Sequence, residues 1–315
     1  MALYTILNRE DFLSLLSNYG ISSVLSFKEL VGGSQNSNYK VITEKGEFVV
    51  SICEQNSKEE VHELALLLEH LQRHNFATSE VIRTLDGETL SAWESKPVML
   101  KRFIHGSVLD DIPIPLATLV GKEMARLHQV PAPDFIQKSM SYGVEYFHEI
   151  NEYARDSKFA QWLNNLTEFI SPYLTETLPK ALIHSDVFSS NVIVCNPDEV
   201  RIMDFEEATH YYRVFDIAMT FIGVCREEQS INFDKAKSLL DGYRSVINLT
   251  HEEISSLRAF TVYAAAAMSF WRHRNFHYTV PTPELFDHYL ELKRISDTIK
   301  KMKEKEFLFL LGIEL

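Results

Sequence analysis

The sequence predicts a mixed α/β (α+β) fold in two parts, a small antiparallel sheet with one helix followed by a larger, mainly helical part. Three observations carry that expectation. Up to about residue 100 the chain is written in short β-branched and aromatic segments around one well-marked helix. After about residue 116, long stretches follow helical spacing. Between residues 181 and 206 that helical pattern gives way to short apolar runs fenced by polar loops.

The individual elements follow in order. Tyr39–Thr43 and Phe48–Ile52 are rich in β-branched and aromatic residues, and Glu44-Lys45-Gly46-Glu47 is the turn that would join them as a hairpin. Gly32-Gly33-Ser34 precedes the first strand as a flexible turn. Ser57-Lys58-Glu59-Glu60 has the form of a capping box, and Val61, Leu64, Ala65, Leu68 and Leu71 then keep helical spacing, so a helix is expected over 57–74. Val81–Arg83, Thr89–Trp93 and Val98–Phe103 read as three further strands, separated by Asp86-Gly87 and Lys96-Pro97. Leu116–His128 carries apolar residues at 116, 119, 120, 124 and 127 and reads as a helix. Further helices are expected over 144–155, 158–170, 213–225, 233–244, 251–272 and 283–304.

Charge and composition narrow the function. With 44 acidic against 31 basic residues the formal charge is −13, which offers no basic excess for phosphate backbones and excludes a general nucleic-acid binder. No run approaches the roughly 20 apolar residues of a membrane span, and the first residues lack the pattern of a secretory leader. The 3 cysteines, Cys53, Cys195 and Cys225, are odd in number and far apart, and they suggest buried packing residues in a reducing cytoplasm.

The chemistry is concentrated in one stretch. Ala181-Leu182-Ile183 leads into His184-Ser185-Asp186-Val187-Phe188-Ser189-Ser190-Asn191, and Val192-Ile193-Val194 leads out to the turn Asn196-Pro197-Asp198. Val200–Met203 then runs into Asp204-Phe205-Glu206. If the two strands after the loop pair as a hairpin, the loop before the first and the residue after the second lie at the same end. Asp186, Asn191 and Asp204 would then converge. An acid, an amide and a second acid suit oxygen-preferring Mg²⁺ and a proton acceptor for a hydroxyl, the combination that phosphoryl transfer requires.

His184-x-Asp186-x-x-x-x-Asn191 followed by Asp204-Phe205-Glu206 resembles the catalytic loop and metal-binding segment of the aminoglycoside phosphotransferase and choline kinase superfamily, relatives of protein kinases. Gly32 to Tyr39 resembles the nucleotide loop of that superfamily, especially as written in type II homoserine kinases. Met99 to Gly106 resembles its hinge, and Gly121 to His128 the helix that begins the second lobe. The resemblance implies a protein-kinase-like two-lobed fold with an N-terminal nucleotide-binding lobe over 1–104 and a C-terminal catalytic and substrate-binding lobe over 105–315. It further implies ATP and Mg²⁺ as cofactors, and a small-molecule alcohol or amino alcohol as acceptor. Asp186 would take the hydroxyl proton, while Asn191 and Asp204 would hold the metal. Gly32, Gly33, Ser34 and the backbone of Arg102 and Ile104 would bind the nucleotide, and Asp216 would prop the catalytic loop.

One departure stands out. Where kinases of this kind usually carry a strand lysine, this chain offers Ser51, a gap shared by the type II homoserine kinase branch. Glu63, the helix glutamate that would pair such a lysine, then lacks its partner, and Lys40 on the preceding strand is the substitute candidate. His184 is expected to hydrogen-bond backbone beside the site, and Glu206 is a second metal contact or a solvent-facing acid. Trp271-Arg272-His273-Arg274 suggests either a clamp for a substrate carboxylate or basic residues placed at a helix C-terminus for dipole reasons. Homoserine is the first expectation for the acceptor, with choline, ethanolamine, hydroxylysine, a methylthio sugar and an aminoglycoside as alternatives. A catalytically silent kinase-like binding protein is the competing class, and a metal-dependent hydrolase lacks the histidine spacing of a dinuclear site.

Overall fold

The computed structural model describes residues 5–30, 36–155 and 157–314, and the chain divides into two compact units at His105/Gly106. In the first unit, β1 (Val24–Glu29), β2 (Asn36–Thr43), β3 (Gly46–Cys53), β4 (Ser91–Trp93) and β5 (Lys96–Arg102) form one antiparallel sheet in the order β1-β2-β3-β5-β4. The expected hairpin is β2 and β3, in register from Asn36↔Cys53 to Thr43↔Gly46. Its alternation buries Ser37, Tyr39, Val41 and Thr43 on one face and turns Lys40 to the other. Two helices belong to this unit, α1 (Arg9–Ser17) and α2 (Lys58–Arg73). The α2 capping box forms as expected, Ser57 accepting from the Glu60 N–H and Glu60 from the Ser57 N–H.

The sheet differs from expectation at three places. Val81 makes only an isolated bridge to Lys101, so Val81–Arg83 is not a strand. Lys96-Pro97 lies inside β5 instead of before it, and the reversal falls at Glu94, whose φ of +54° makes the turn. Pro97 pairs only with the three-residue edge strand β4, where a missing N–H is tolerated. Neither α1 nor β1 is announced by the sequence. Only Val24 of β1 is buried, so no alternation marks it, and α1 buries just Phe12, Leu15 and Leu16. Those three side chains nevertheless join Tyr39, Val41, Phe48, Val50 and Leu100 in the core of the unit.

The second unit is mainly helical, built from α3 (Ile114–Leu127), the four-residue α4 (Ile150–Tyr153), α5 (Lys158–Ile170), α6 (Arg213–Val224), α7 (Phe233–Arg244), α8 (His251–Arg274), α9 (Tyr289–Lys301) and α10 (Glu304–Leu310). Helix α8 is its axis and is buried along most of its length, including the run Ala264–Ala267, whose small side chains let neighbours approach closely. Among the described residues no helix is long and apolar enough to cross a membrane. The helix expected over 144–155 is instead a 3₁₀ segment, Val144–Glu149, passing into α4. That expected over 283–304 is a short 3₁₀ turn, α9 and a separate α10 that the sequence reading did not foresee.

Short strands frame the motif region. β8 (Val192–Asn196) and β9 (Glu199–Ile202) pair antiparallel from Val192↔Ile202, and β6 (Ser107–Val108) adds to β8. β7 (Lys180–Ile183) pairs instead with β10 (Thr209–Tyr212), a strand not expected from the sequence. A last small hairpin joins β11 (Arg226–Glu227) to β12 (Ser230–Ile231).

Candidate active site

The hairpin of β8 and β9 returns the chain to where the polar loop ends. The Met203 N–H donates to the Asn191 carbonyl at 2.9 Å, which puts Asp204 one residue from the loop's last member. Asn191 Nδ2 in turn donates to the Asp186 carbonyl oxygen at 2.8 Å and to Asp186 Oδ2 at 3.2 Å. With its nitrogen so engaged, Asn191 has Oδ1 as its acceptor atom, and Asp204, exposed, adds a carboxylate. One carboxylate and one carboxamide oxygen match the sparse protein ligation of a cation whose other ligands come from phosphates and water. Among the described residues no group of three or more His, Cys, Asp or Glu side chains has metal-binding geometry, so a dinuclear protein-held centre finds no support.

The loop is fastened from below by Asp216 at the start of α6. Its Oδ2 accepts from the His184 N–H at 3.0 Å and its Oδ1 from the Ser185 N–H at 2.8 Å, while His128 Nε2 lies 3.0 Å from Oδ2. The His128 ring is held in place by the Tyr243 hydroxyl, 2.8 Å from Nδ1. Complete burial would push the Asp216 carboxyl up, but the His128 bond, the facing His184 and the backbone donor together hold it below the ordinary aspartate range. His184 is fully buried and serves backbone at both ring nitrogens: Nε2 donates to the Met203 carbonyl at 2.9 Å, and Nδ1 accepts from the Asp186 N–H at 3.2 Å. It thereby ties the loop to the strand end that carries Asp204, with Phe205 packed on its ring at 4.6 Å.

Backbone strain is concentrated here. Ser185 and Asp204 adopt φ of +71° and +70°, left-handed conformations that cost a non-glycine residue about 1–2 kcal/mol. Ser185 is held there by Asp216 and by the Tyr142 hydroxyl, which donates to its carbonyl at 3.0 Å. Gly223 on α6 lets that helix sit directly under the loop, since a Cβ there would meet the Val187 carbonyl oxygen at 2.2 Å.

Electrostatically the loop's aspartate is unlike the acid beneath it. Asp186 is pushed up to about 8, first by burial and then by the neighbouring charges of Asp204 and Glu207, with the Asn191 bond and the Arg272 charge pulling the other way. Glu207 is itself raised, by burial first and then by Glu206 and Asp204. Tyr142 and Glu207, which the sequence does not single out, thus belong to the surroundings of Asp186, together with Arg272 of the basic cluster expected as a carboxylate clamp or a helix-end placement. Glu207 had a local signal, since it directly follows the Asp204-Phe205-Glu206 motif; the other two are brought in by tertiary packing. Glu206 is half-buried.

The remaining candidates belong to the first unit, apart from the basic cluster that ends α8. Gly32, Gly33 and Ser34 lie outside the described residues. Ser51 is buried in β3, opposite Met99, and its hydroxyl donates to Asn38 Oδ1 at 2.6 Å across the strand pair. Lys40 Nζ pairs with Glu47 at 2.7 Å and lies 3.8 Å over the Phe103 ring, and Glu63 is exposed on α2. The Arg102 N–H donates to the Glu80 carbonyl at 2.8 Å and its guanidinium pairs with the Glu80 carboxylate at 2.8 Å. Of the basic cluster ending α8, Arg272 and Arg274 pair with Glu291 at 3.0 Å and Glu149 at 2.6 Å.

Comparison with known proteins agrees with this architecture. Residues 26–246 match the family described as the phosphotransferase enzyme family. A homoserine kinase of Beijerinckia indica is 27% identical over 265 residues, covering 82% of this chain and 83% of the relative. Among solved structures, an ethanolamine kinase of Plasmodium vivax superposes with a TM-score of 0.70 at 15% identity, covering 94% of this chain and 92% of its own. A microcompartment-associated aminopropanol kinase reaches 0.72 at 15% identity over 98% and 99% of the two chains. The mixed α/β architecture is therefore kinase-like, and the chain belongs to the phosphotransferase enzyme family, as an ATP-dependent kinase of small molecules.

Proposed function

We propose that this protein transfers the γ-phosphoryl group of ATP to the side-chain hydroxyl of homoserine or a closely related amino alcohol. The observation that carries the reading is the meeting of Asp186 and Asn191 with the strand end that bears Asp204. Phosphoryl transfer asks little covalent chemistry of a protein, and most of the rate comes from position and charge. Asp186 accepts the hydroxyl proton and orients the oxygen in line with the γ-phosphorus. Asn191 and Asp204 would hold Mg²⁺, which would supply positive charge against the phosphates of ATP. His184 and Asp216 position the loop, and Glu207 supplies negative charge for the acceptor's ammonium group.

On the nucleotide side, the Arg102 N–H is already given to Glu80, so that residue offers adenine its carbonyl oxygen and the donor falls to the Ile104 N–H. Gly32, Gly33 and Ser34 contribute backbone amides to the phosphates. Lys40, held by Glu47 and Phe103, is a weak candidate for that contact, and Ser51 leaves the amides and the cation as the main partners of the phosphates. The homoserine assignment draws support from the homoserine kinase relative and from Ser51 in place of a lysine. Against a silent binding protein stands the full acid–amide–acid set, which such a protein has no chemical need to keep.

A panel of acceptors tests the reading: homoserine, choline, ethanolamine, hydroxylysine, a methylthio sugar and an aminoglycoside, each with ATP and Mg²⁺. Homoserine is expected to give the highest kcat/KM, and chelation of the metal to abolish turnover. Turnover of another acceptor without homoserine would contradict the acceptor assignment. Phosphorylation of none would contradict the transfer itself.

A further inference from the structure

The loop that carries Asp186 has a cationic neighbour built from three separate elements of the second unit. Helix α6 touches the loop at Gly223, where a Cβ would meet Val187 O at 2.2 Å and Phe188 Cα at 3.0 Å. Arg226 follows three residues later at the start of β11, which holds its Cα within roughly 11 Å of that contact. Its Nη1 pairs with Glu291 Oε2 on α9 at 2.9 Å, and the same oxygen receives Arg272 Nη1 from α8 at 3.0 Å. Arg272 also donates to the His288 carbonyl at 3.2 Å, and its side chain is only 10% exposed. The Gly223 contact beside Asp186 and the shared Glu291 thus tie both guanidinium groups to the elements that carry the loop.

Two guanidinium groups thus share one carboxylate oxygen. Arg272, only 10% exposed, thus shares its acid with a second base, an incomplete compensation that is unfavourable for a sheltered charge, whereas Arg226 and Glu291 are each 37% exposed and reach solvent. Elsewhere on the same helix a base has its own acid: Arg274 has Glu149. Guanidinium groups recognise carboxylates through paired, directional hydrogen bonds, and the pairing with Glu291 engages Nη1 of each arginine on one carboxylate oxygen.

We propose that Arg272 and Arg226 hold the α-carboxylate of an amino-acid acceptor and so orient its side-chain hydroxyl towards Asp186. The inference rests on the phosphotransfer reading given above and deepens it. The site selects hydroxy-amino acids over amino alcohols that lack a carboxylate.

The test compares homoserine with 3-aminopropan-1-ol, the same molecule without its carboxylate, in the full-length wild type, Arg272→Met and Arg226→Gln. The quantity read is the ratio of the two kcat/KM values. It is expected to fall about 10- to 100-fold in Arg272→Met, through the homoserine KM, as loss of a charge-assisted contact predicts. Arg226→Gln should move it in the same direction by less, and because Arg226 is more exposed that variant answers the question even where Arg272→Met does not fold. A ratio unchanged in the folded variants overturns the clamp, since loosening α8 from α9 alone would depress both acceptors together. Wild-type turnover of homoserine with an unmoved ratio contradicts the clamp by itself. Absence of homoserine turnover in the wild type contradicts the reading beneath it and the clamp with it.

Discussion

Asp216 and Asp186 lie thirty residues apart in sequence, near one another in space, and in opposite surroundings. Beneath the loop, Asp216 is enclosed by donors, two backbone N–H groups and the His128 ring, and its carboxyl is held low despite full burial. Asp186 is buried too, but there Asp204 and Glu207 add to the effect of burial, its carboxylate receives one amide donor, and it is pushed up to about 8. The first arrangement favours the folded state, and the second opposes it. A fold retains such an opposed group where ligand binding or reaction needs it, and the strained backbone at Ser185 and Asp204 marks the same place. The contrast separates what builds the loop from what uses it.

Removing the floor should give the largest loss of stability. Asp216→Ala leaves the His184 and Ser185 amides and His128 without their acceptor, and about 3–5 kcal/mol of stability is expected to disappear. Chemical denaturation measures it; a loss under 1 kcal/mol would show that the loop is held by something else. Gly223→Ala probes the same support from the helix side. Its Cβ cannot share space with the Val187 carbonyl, so a cost of about 1–3 kcal/mol is expected, together with a fall in kcat as the loop is displaced. Equal stability and turnover in that variant would mean that the loop's position matters little.

The smallest expected effect sharpens the comparison in the other unit. Glu54 resembles Asp216 in kind: burial alone would raise it, but bonds from Lys96, Ser37 and Thr5 bring it down to about 2. A folded-state value below the unfolded one means that its stabilisation is complete above the unfolded value of about 4.3 and is lost as pH falls through about 2. Glu54→Gln should therefore cost about 1 kcal/mol at neutral pH, with the gap to wild type closing in acid. A gap that stays constant from pH 7 to pH 2 would rule out the charge as its source.

Much of this is legible in the sequence. Helix α7 falls on 233–244 as its spacing predicts, α2 starts at its capping box, and the hairpin logic of β8 and β9 brings the motif residues to one end. These features are local, and periodicity and caps are local signals. What escaped depends on partners distant in the chain. β10 is a strand because it lies against β7, more than twenty residues earlier, and α1 is recognisable only from the core it covers. In the site, the convergence of Asp186, Asn191 and Asp204 was foreseen. Tyr142 has no local signal that points to Asp186, and the basic cluster of Arg272 suggests a clamp or a helix-end placement without saying which element it faces.

The central claim is that Asp186 serves the reaction and not the fold. Asp186→Asn keeps the shape of the side chain and removes the carboxylate that would accept the hydroxyl proton. Measured with ATP, Mg²⁺ and homoserine, kcat should fall about 10²- to 10⁴-fold while the unfolding midpoint stays level or rises, because the cost of burying an acid, and of crowding it against Asp204 and Glu207, is relieved. Undiminished turnover in a folded Asp186→Asn protein would contradict the account.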